Sequence, residues 1–420
     1  MSQSKKLIPR RRFKECENSQ IWKQSYFLQV IINIIDFRGR TPKKLGMDWS
    51  ECGFLALSAL NVKNGYIDFS ADAHYGDNNL YLKWMGGNEL RKGQVIFTTE
   101  APMGNVAQIP DDNGYILSQR TIAFEVNKSE ITDDFLAILL KSPSVYNSLL
   151  MMTSGGTAKG VSQKSLSTLK INLPSSITEQ TQIGEFFKKL DHLINTQQKK
   201  LEKAKTLKSA YLTEMFPNEG ELKPKLRFSG FIENWKSDRL GNLVIWNKGT
   251  NLAKSVLNSE SNGHPVIHYA DLYKFYPVID EVIHWSESDE GNLIPENSLL
   301  FPMSDVTPKG LARTTTITKK NVKAGSDTLI ATLSDKINAE YLSYQINANY
   351  KKIFPLVTGT TVKHISANSL STLTIEYTNR MEQKKIAKFF RTLEIKLNLE
   401  QKKLNKLKNI KQAYLNEMFV

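Results

Sequence analysis

His264 and His268 stand four apart, the spacing at which two imidazoles on one helix face could ligate zinc. Pro265 and the β-branched Val266 and Ile267 oppose a helix there, and no Glu lies beside them, so a metal site is not expected. Asp111-Asp112 followed by Glu125-Val126-Asn127 has the outline of a nuclease carboxylate cluster. Asn127, however, occupies the lysine position, and Lys128 falls one residue late, where strand alternation points it away. The chain holds neither a GxxxxGK[ST] phosphate loop nor a GxGxxG turn, so ATP and dinucleotide binding are not expected. It also has no NPPF-like or DPPY-like loop for methylating a base amino group, and nothing local orients a Ser-His-Asp set.

What remains is basic chemistry. Lys and Arg number 56 against 42 Asp and Glu, a formal charge of +14. Such a surplus favours a polyanionic partner, because each neutralised phosphate releases condensed counterions. Arg38, Arg40, Lys43 and Lys44 cluster in a Gly and Pro loop, where guanidinium forks could reach guanine edges or phosphates; an ordinary solvated loop is the alternative. Arg120 heads an expected strand and is either a DNA contact or a buried structural arginine. Lys159 and Lys363 hold equivalent places in GGTAKG and GTTVKH, where glycine or small residues allow close approach to phosphate. Lys248, Lys254, Lys309 and Arg313 are the corresponding candidates later in the chain. Lys199, Lys200, Lys402 and Lys403 fit a solvated or subunit-facing helix surface better than base reading.

The elements that must carry these residues come from a duplication. Residues 179–216 (EQTQIGEFFKKLDHLINTQQKKLEKAKTLKSAYLTEMF) match 382–419 (EQKKIAKFFRTLEIKLNLEQKKLNKLKNIKQAYLNEMF) at about half their positions. Upstream, GGTAKGVSQKSLSTLKI at 155–171 faces GTTVKHISANSLSTLTI at 359–375. A period of half the chain is too long for a solenoid repeat and implies two globes, each followed by a helix. Between these marks the globes resemble each other only faintly. Both carry short runs rich in Val, Ile, Thr and Phe, such as Tyr115-Ile116-Leu117 and Thr121-Ile122-Ala123-Phe124, broken by turn residues. Helices are expected over 132–152 and 339–354.

In the first repeated helix Phe187, Ile194, Leu201 and Lys208 alternate with Leu190 and Gln197 at steps of four and three. In the second, Phe390, Leu397, Leu404 and Lys411 alternate with Leu393 and Glu400. These are heptad seams. A helix of about 38 residues is about 57 Å long, more than one small domain covers, so the two helices are expected to pair. Antiparallel pairing suggests Lys208 facing Glu400 and Gln197 facing Lys411, with solvated, splayed seam positions as the alternative. Phe186 and Phe389 widen each stripe beyond a coiled-coil seam, implying a second buried face against a globe or a partner.

The 420 residues fit two or three domains, and 40% hydrophobic content can build cores. Cys16 and Cys52 cannot form a disulfide framework and suit reduced thiols. The start MSQSKKLIPRRRF lacks a following apolar stretch, and Val30-Ile31-Ile32-Asn33-Ile34-Ile35 is too short to span a bilayer, so a soluble, cytoplasmic protein with no membrane partner is expected.

The duplicated globe-plus-helix plan, with Leu226-Arg227-Phe228 before Trp235, the Ser165-Leu166-Ser167-Thr168-Leu169 to Glu179-Gln180 lead-in, the ending Tyr211-Leu212-Thr213-Glu214-Met215-Phe216 and the opening Phe37-Arg38-Gly39-Arg40-Thr41-Pro42 before Leu57-Ser58-Ala59-Leu60-Asn61, resembles the specificity (S) subunit of type I restriction-modification systems, the HsdS family. Lys248-Gly249-Thr250-Asn251 lacks the corresponding Pro. The resemblance implies an α+β fold with an internal pseudo-twofold repeat: target recognition domains at 1–176 and 219–377, separated by antiparallel spacer helices at 177–218 and 378–420. It further implies that each globe reads half of a bipartite double-stranded DNA site and that two modification subunits dock on the helices. The chain itself would bind no cofactor and catalyse nothing. S-adenosylmethionine would sit on the modification subunits, while restriction subunits would bring ATP and Mg for translocation and cleavage. A helix overlap of about 45 Å compares with one to one and a half turns of B-DNA at about 34 to 36 Å each. Two other readings remain: a self-contained DNA-modifying enzyme, and a basic helical scaffold binding DNA without sequence preference.

Overall fold

The computed structural model describes residues 7–17, 19–153, 160–250, 252–274 and 277–420. The chain forms two compact units, one of residues 1–199 with 402–420 and the other of 200–401. Each long helix, Ile177–Glu214 and Arg380–Glu417, contributes one part to each unit.

In the first unit a four-stranded antiparallel sheet runs in the order Ile31–Asp36, Thr121–Val126, Val95–Thr98, Val106–Gln108. The central strand Thr121–Val126 is buried at every position but Glu125, which explains its continuous rather than alternating apolar pattern. Beside it, Phe54–Leu57 pairs in parallel with Tyr115–Leu117 and antiparallel with Tyr75–Gly76. The expected helix over 132–152 is two helices, Asp133–Leu139 and Pro143–Met151. Pro143 cannot donate a backbone hydrogen bond, so it begins a new helix instead of continuing the old one.

The second unit repeats this plan. Its sheet runs Val244–Lys248, Thr328–Leu333, Ser298–Pro302, Thr315–Ile317, Val278–Ile279. His264–Ile267 pairs in parallel with Lys323–Ala324 and antiparallel with His284–Ser286. His264 and His268 therefore lie in and just after a strand, as Pro265 and its branched neighbours require. Among the described residues no group of His, Cys, Asp and Glu could hold a metal ion. The helix Ala339–Ala348 is regular, then tightens into a 3-10 segment at Tyr350–Leu356 around Pro355.

The root of each long helix is built the same way. Glu179 is buried and takes a fork from Arg12, Nε to Oε1 at 2.7 Å and Nη2 to Oε2 at 2.6 Å. Glu382 takes the same fork from Arg227 at 2.7 and 2.8 Å. The next residue caps a neighbouring helix: Gln180 Oε1 accepts from Thr132 N–H at 3.0 Å, and Gln383 Oε1 from Asn338 N–H at 2.7 Å. The repeated Glu-Gln pair thus ties helix to globe, because buried charge is tolerated only when paired and hydrogen-bonded. Trp22, Phe135, Phe187 and Phe419 cluster behind the first root, and Trp235, Tyr341, Phe390 and Phe216 behind the second. Each fully buried aromatic contributes about 1.5–3 kcal/mol. The extra aromatics are absorbed within the units: Phe186 meets Phe13 and Tyr414, and Phe389 meets Phe228 and Tyr211.

Within each unit the helix segments run antiparallel. In the first, Asp191 pairs with Lys411 while the earlier Phe186 meets the later Tyr414. In the second, Lys208 bonds Glu394 at 2.6 Å, Lys200 bonds Glu400 at 2.8 Å, and Tyr211 meets Phe389. The expected polar layers are therefore corrected: Lys208 faces Glu394 rather than Glu400, and Lys411 faces Asp191 rather than Gln197. The lysine stems lie along the seam and carry their ammonium groups to carboxylates at its rim, which avoids a fully desolvated charge layer. Of the other seam residues, Phe187, Leu190, Leu201, Phe390, Leu404 and Glu400 are buried, while Ile194, Gln197, Leu393 and Leu397 are half-buried. No described helix is long and apolar enough to cross a membrane.

Candidate nucleic-acid interface

The basic loop after Ile31–Asp36 splits by role. Asp36 and Arg38 lock together, with Nη2 to Oδ2 at 2.5 Å and Nε 2.9 Å from each carboxylate oxygen. Burial pushes the Asp36 carboxyl up, but the Arg38 guanidinium and backbone N–H, with Gln163, outweigh it and leave Asp36 below its ordinary value. Arg38 is thereby committed to shaping the loop. Lys44 folds back, its Nζ donating to Gly39 O at 2.7 Å. Thr41 caps the short 3-10 turn Pro42–Leu45, where Pro42 supplies a preset φ.

Arg40 and Lys43 line a cleft of about 540 Å³ that Arg120 also lines. Arg40 lies over the Phe37 ring at 4.3 Å and donates to Trp84 O. Arg120 is exposed, its Nε 3.2 Å from Glu100. Trp49 stacks on His74 in the wall at 5.1 Å, and Asp48, Asp72 and Gln119 add acceptors and a donor. Three of the sequence candidates thus share one site, and Arg120 is not a buried structural arginine. Lys159 lies outside the described residues.

In the second unit the candidates do not converge. Lys309 and Arg313 line a cleft of about 400 Å³ together with the helix residues Lys205 and Lys208. Arg313 donates to Tyr273 O at 3.2 Å and covers its ring at 5.1 Å. Lys363 Nζ turns back to Gly359 O at 2.7 Å. Lys248 ends its strand exposed, with its carbonyl held by Asn292 at 2.6 Å, and Lys254 sits exposed in a 3-10 turn. Sequence reasoning weighed His268 only as a metal ligand and missed Asp327. Burial lowers the His268 pKa, with Asp271 and Asp327 opposing and His284 and Lys254 adding to the fall. Only the hydrogen-bonded frame, not residue type, marks these positions.

Both clefts combine cationic groups, an amide and aromatic walls, and the first adds the carboxylates Asp48 and Asp72, the kind of set that contacts phosphates and base edges. They lack a clustered metal site among the described residues. The type I restriction modification DNA specificity domain family matches residues 51–206 and 232–409. The putative type I restriction enzyme MjaX specificity subunit of Methanocaldococcus jannaschii is 23% identical over 348 residues, 77% of each chain. A type I restriction-modification S subunit from M. genitalium has a similar fold, with TM-score 0.61 and 14% identity over 98% of this chain and 99% of that one. A chain from a structural study of complex assembly and conformational transition of the type I R-M system aligns with TM-score 0.52 and 18% identity over 95% and 97%. With both halves matched, the chain belongs to the family of type I restriction-modification DNA specificity subunits.

Proposed function

We propose that each unit reads one half of a bipartite double-stranded DNA site, and that the two long helices set the spacing and dock two modification subunits. The chain is the non-catalytic specificity subunit of a type I restriction-modification system. S-adenosylmethionine belongs with the modification subunits, and ATP and Mg with the restriction subunits. The observation that carries the reading is the repeated backbone frame: the antiparallel sheet core, the parallel strand pair beside it and the forked helix root recur in both units, yet the candidate cations are arranged differently in the two. One scaffold presented twice with different chemistry suits two unlike half-sites. The unbroken helices of 38 residues each and the surplus of positive charge fit the spacer and DNA-binding roles.

Mapping methylated adenines in cells that express this chain with its modification subunit tests the reading. A discontinuous motif with two specified halves is expected. Sequence-independent methylation, or salt-steep DNA binding without a preferred site, would count for a scaffold instead.

A further inference from the structure

Hydrogen bonds align the two units where their sequences do not. Ser118 N–H donates to Leu57 O at 2.8 Å, and Gly325 N–H to Ile267 O at 3.0 Å. Thr99 N–H donates to Arg120 O at 2.8 Å, and Met303 N–H to Asp327 O at 2.9 Å. The following residue, Thr121 or Thr328, opens the buried central strand of each sheet. Arg120 and Asp327 therefore hold the same position in the same frame.

The backbone is left-handed at both, with φ of 62° and 59°. Glycine would fill such a turn without strain, and an arginine is unusual there. Both units nonetheless place an exposed, charged side chain at this point, and the two charges are opposite. Strain of this kind persists where the surrounding structure enforces it and clusters at functional sites.

The surroundings correspond as well. Ser58 N–H is held by Asn61 Oδ1 at 2.9 Å, as His268 N–H is by Asp271 Oδ2 at 3.0 Å. Ser58 lines the Arg120 cleft, and His268 feels the charge of Asp327. Each neighbourhood also draws a lysine from a 3-10 turn, Lys43 in one and Lys254 in the other.

We propose that Arg120 and Asp327 are paired specificity-determining residues, Arg120 donating to guanine O6 and N7 in one half-site and Asp327 accepting from a cytosine amino group in the other. The assignment rests on the reading that each unit recognises one half-site. A carboxylate gains nothing at a phosphate, so an exposed acid at this turn, in a chain with charge +14, finds its use against DNA at a base amino group. The Arg120 ion pair with Glu100 joins side chains 52% and 41% exposed, and such surface pairs are weak enough to exchange for a base.

Arg120→Ala and Asp327→Ala, each in the full chain with the modification subunit, are compared by genome-wide mapping of methylated adenines. Each should relax one base pair in one half-site by about 10- to 100-fold, leaving the other half and the gap unchanged. Asp327→Asn should move preference from cytosine toward adenine, which an amide can bind through two hydrogen bonds. Unchanged strictness at every position would overturn the proposal, and so would an even loss over all sites, the mark of a phosphate contact. If an alanine variant fails to fold, Arg120→Lys and Asp327→Asn decide by the same criterion. A wild-type motif without two halves would overturn the half-site reading itself, whatever the variants do.

Discussion

The root of each long helix and the turn at Arg120 or Asp327 are both repeated, but in different senses. At the roots, Arg12 with Glu179 and Arg227 with Glu382 repeat residue types, bond pattern and burial. At the turns only the backbone is repeated, and the charge is reversed. A fork onto a buried carboxylate accepts no substitute, because a lone buried charge is costly. An exposed side chain in a fixed turn can change without loss of fold. Attachment is thus held constant while the turn is free to vary within each unit, as the proposed reading of two different half-sites requires.

The largest expected effect tests the sameness of the roots. Arg12→Met and Arg227→Met each leave a buried carboxylate without its partner, which costs about 3–5 kcal/mol. Denaturant midpoints of the two variants should fall by similar amounts. A large loss at one root and none at the other would break the equivalence.

A second, smaller effect should set the units apart. Lys141 is almost fully buried, its Nζ 3.9 Å from Asp191, which also pairs with Lys411. Burial, then Lys411, lowers the Lys141 pKa to about 8 against the partial support of Asp191. The folded chain then releases this proton at about pH 8, whereas the unfolded chain holds it until about 10.5. Across that window the unfolded state binds more protons, so stability rises with pH. Counted from the caps Thr132 and Asn338, the counterpart of Lys141 is Asn347, which bonds Thr314 instead. Melting curves should show the first unit gaining stability from pH 8 to 10, and Lys141→Met should flatten that trend. An equal trend in the variant would assign the proton elsewhere.

How far the sequence reveals this arrangement depends on whether a contact repeats as residues or as backbone. The long helices are legible because heptads and a half-identical repeat both mark them. The strands at Tyr115 and Thr121 are legible from branched and aromatic runs. The correspondence of Leu57 with Ile267, or of Arg120 with Asp327, leaves no trace in residue type, since backbone hydrogen bonds carry it. Of the cleft, Arg40 and Lys43 are visible as loop cations and Arg120 as a cation at the head of a strand. The partners that occupy Arg38, Lys44 and Lys363 are not, because a loop that folds back on its own carbonyls has no sequence pattern. The single expected helix over 132–152 fails at Pro143, a signal present in the sequence and outweighed by the surrounding apolar run.

The smallest effect concerns the helix seam, where the two units agree in pattern but differ in detail. Lys208 with Glu394 and Lys411 with Asp191 occupy matching places, each pair joining half-buried side chains. Glu394 also accepts from the Tyr344 hydroxyl at 2.7 Å, while Asp191 has Lys141 nearby. In a double-mutant cycle, Lys208→Glu should destabilise and Glu394→Lys should restore part of the loss, with a coupling of about 0.5–3 kcal/mol. Restoration should be incomplete, because Glu394→Lys also takes away the acceptor of the Tyr344 hydroxyl. Glu400→Lys, by contrast, should restore nothing, since the Glu400 carboxylate is bonded by Lys200. Coupling of Lys208 to Glu400 but not to Glu394 would move the register toward the one the heptads alone suggest. The alignment of the rods would then depend on the seam layer and not on its rim.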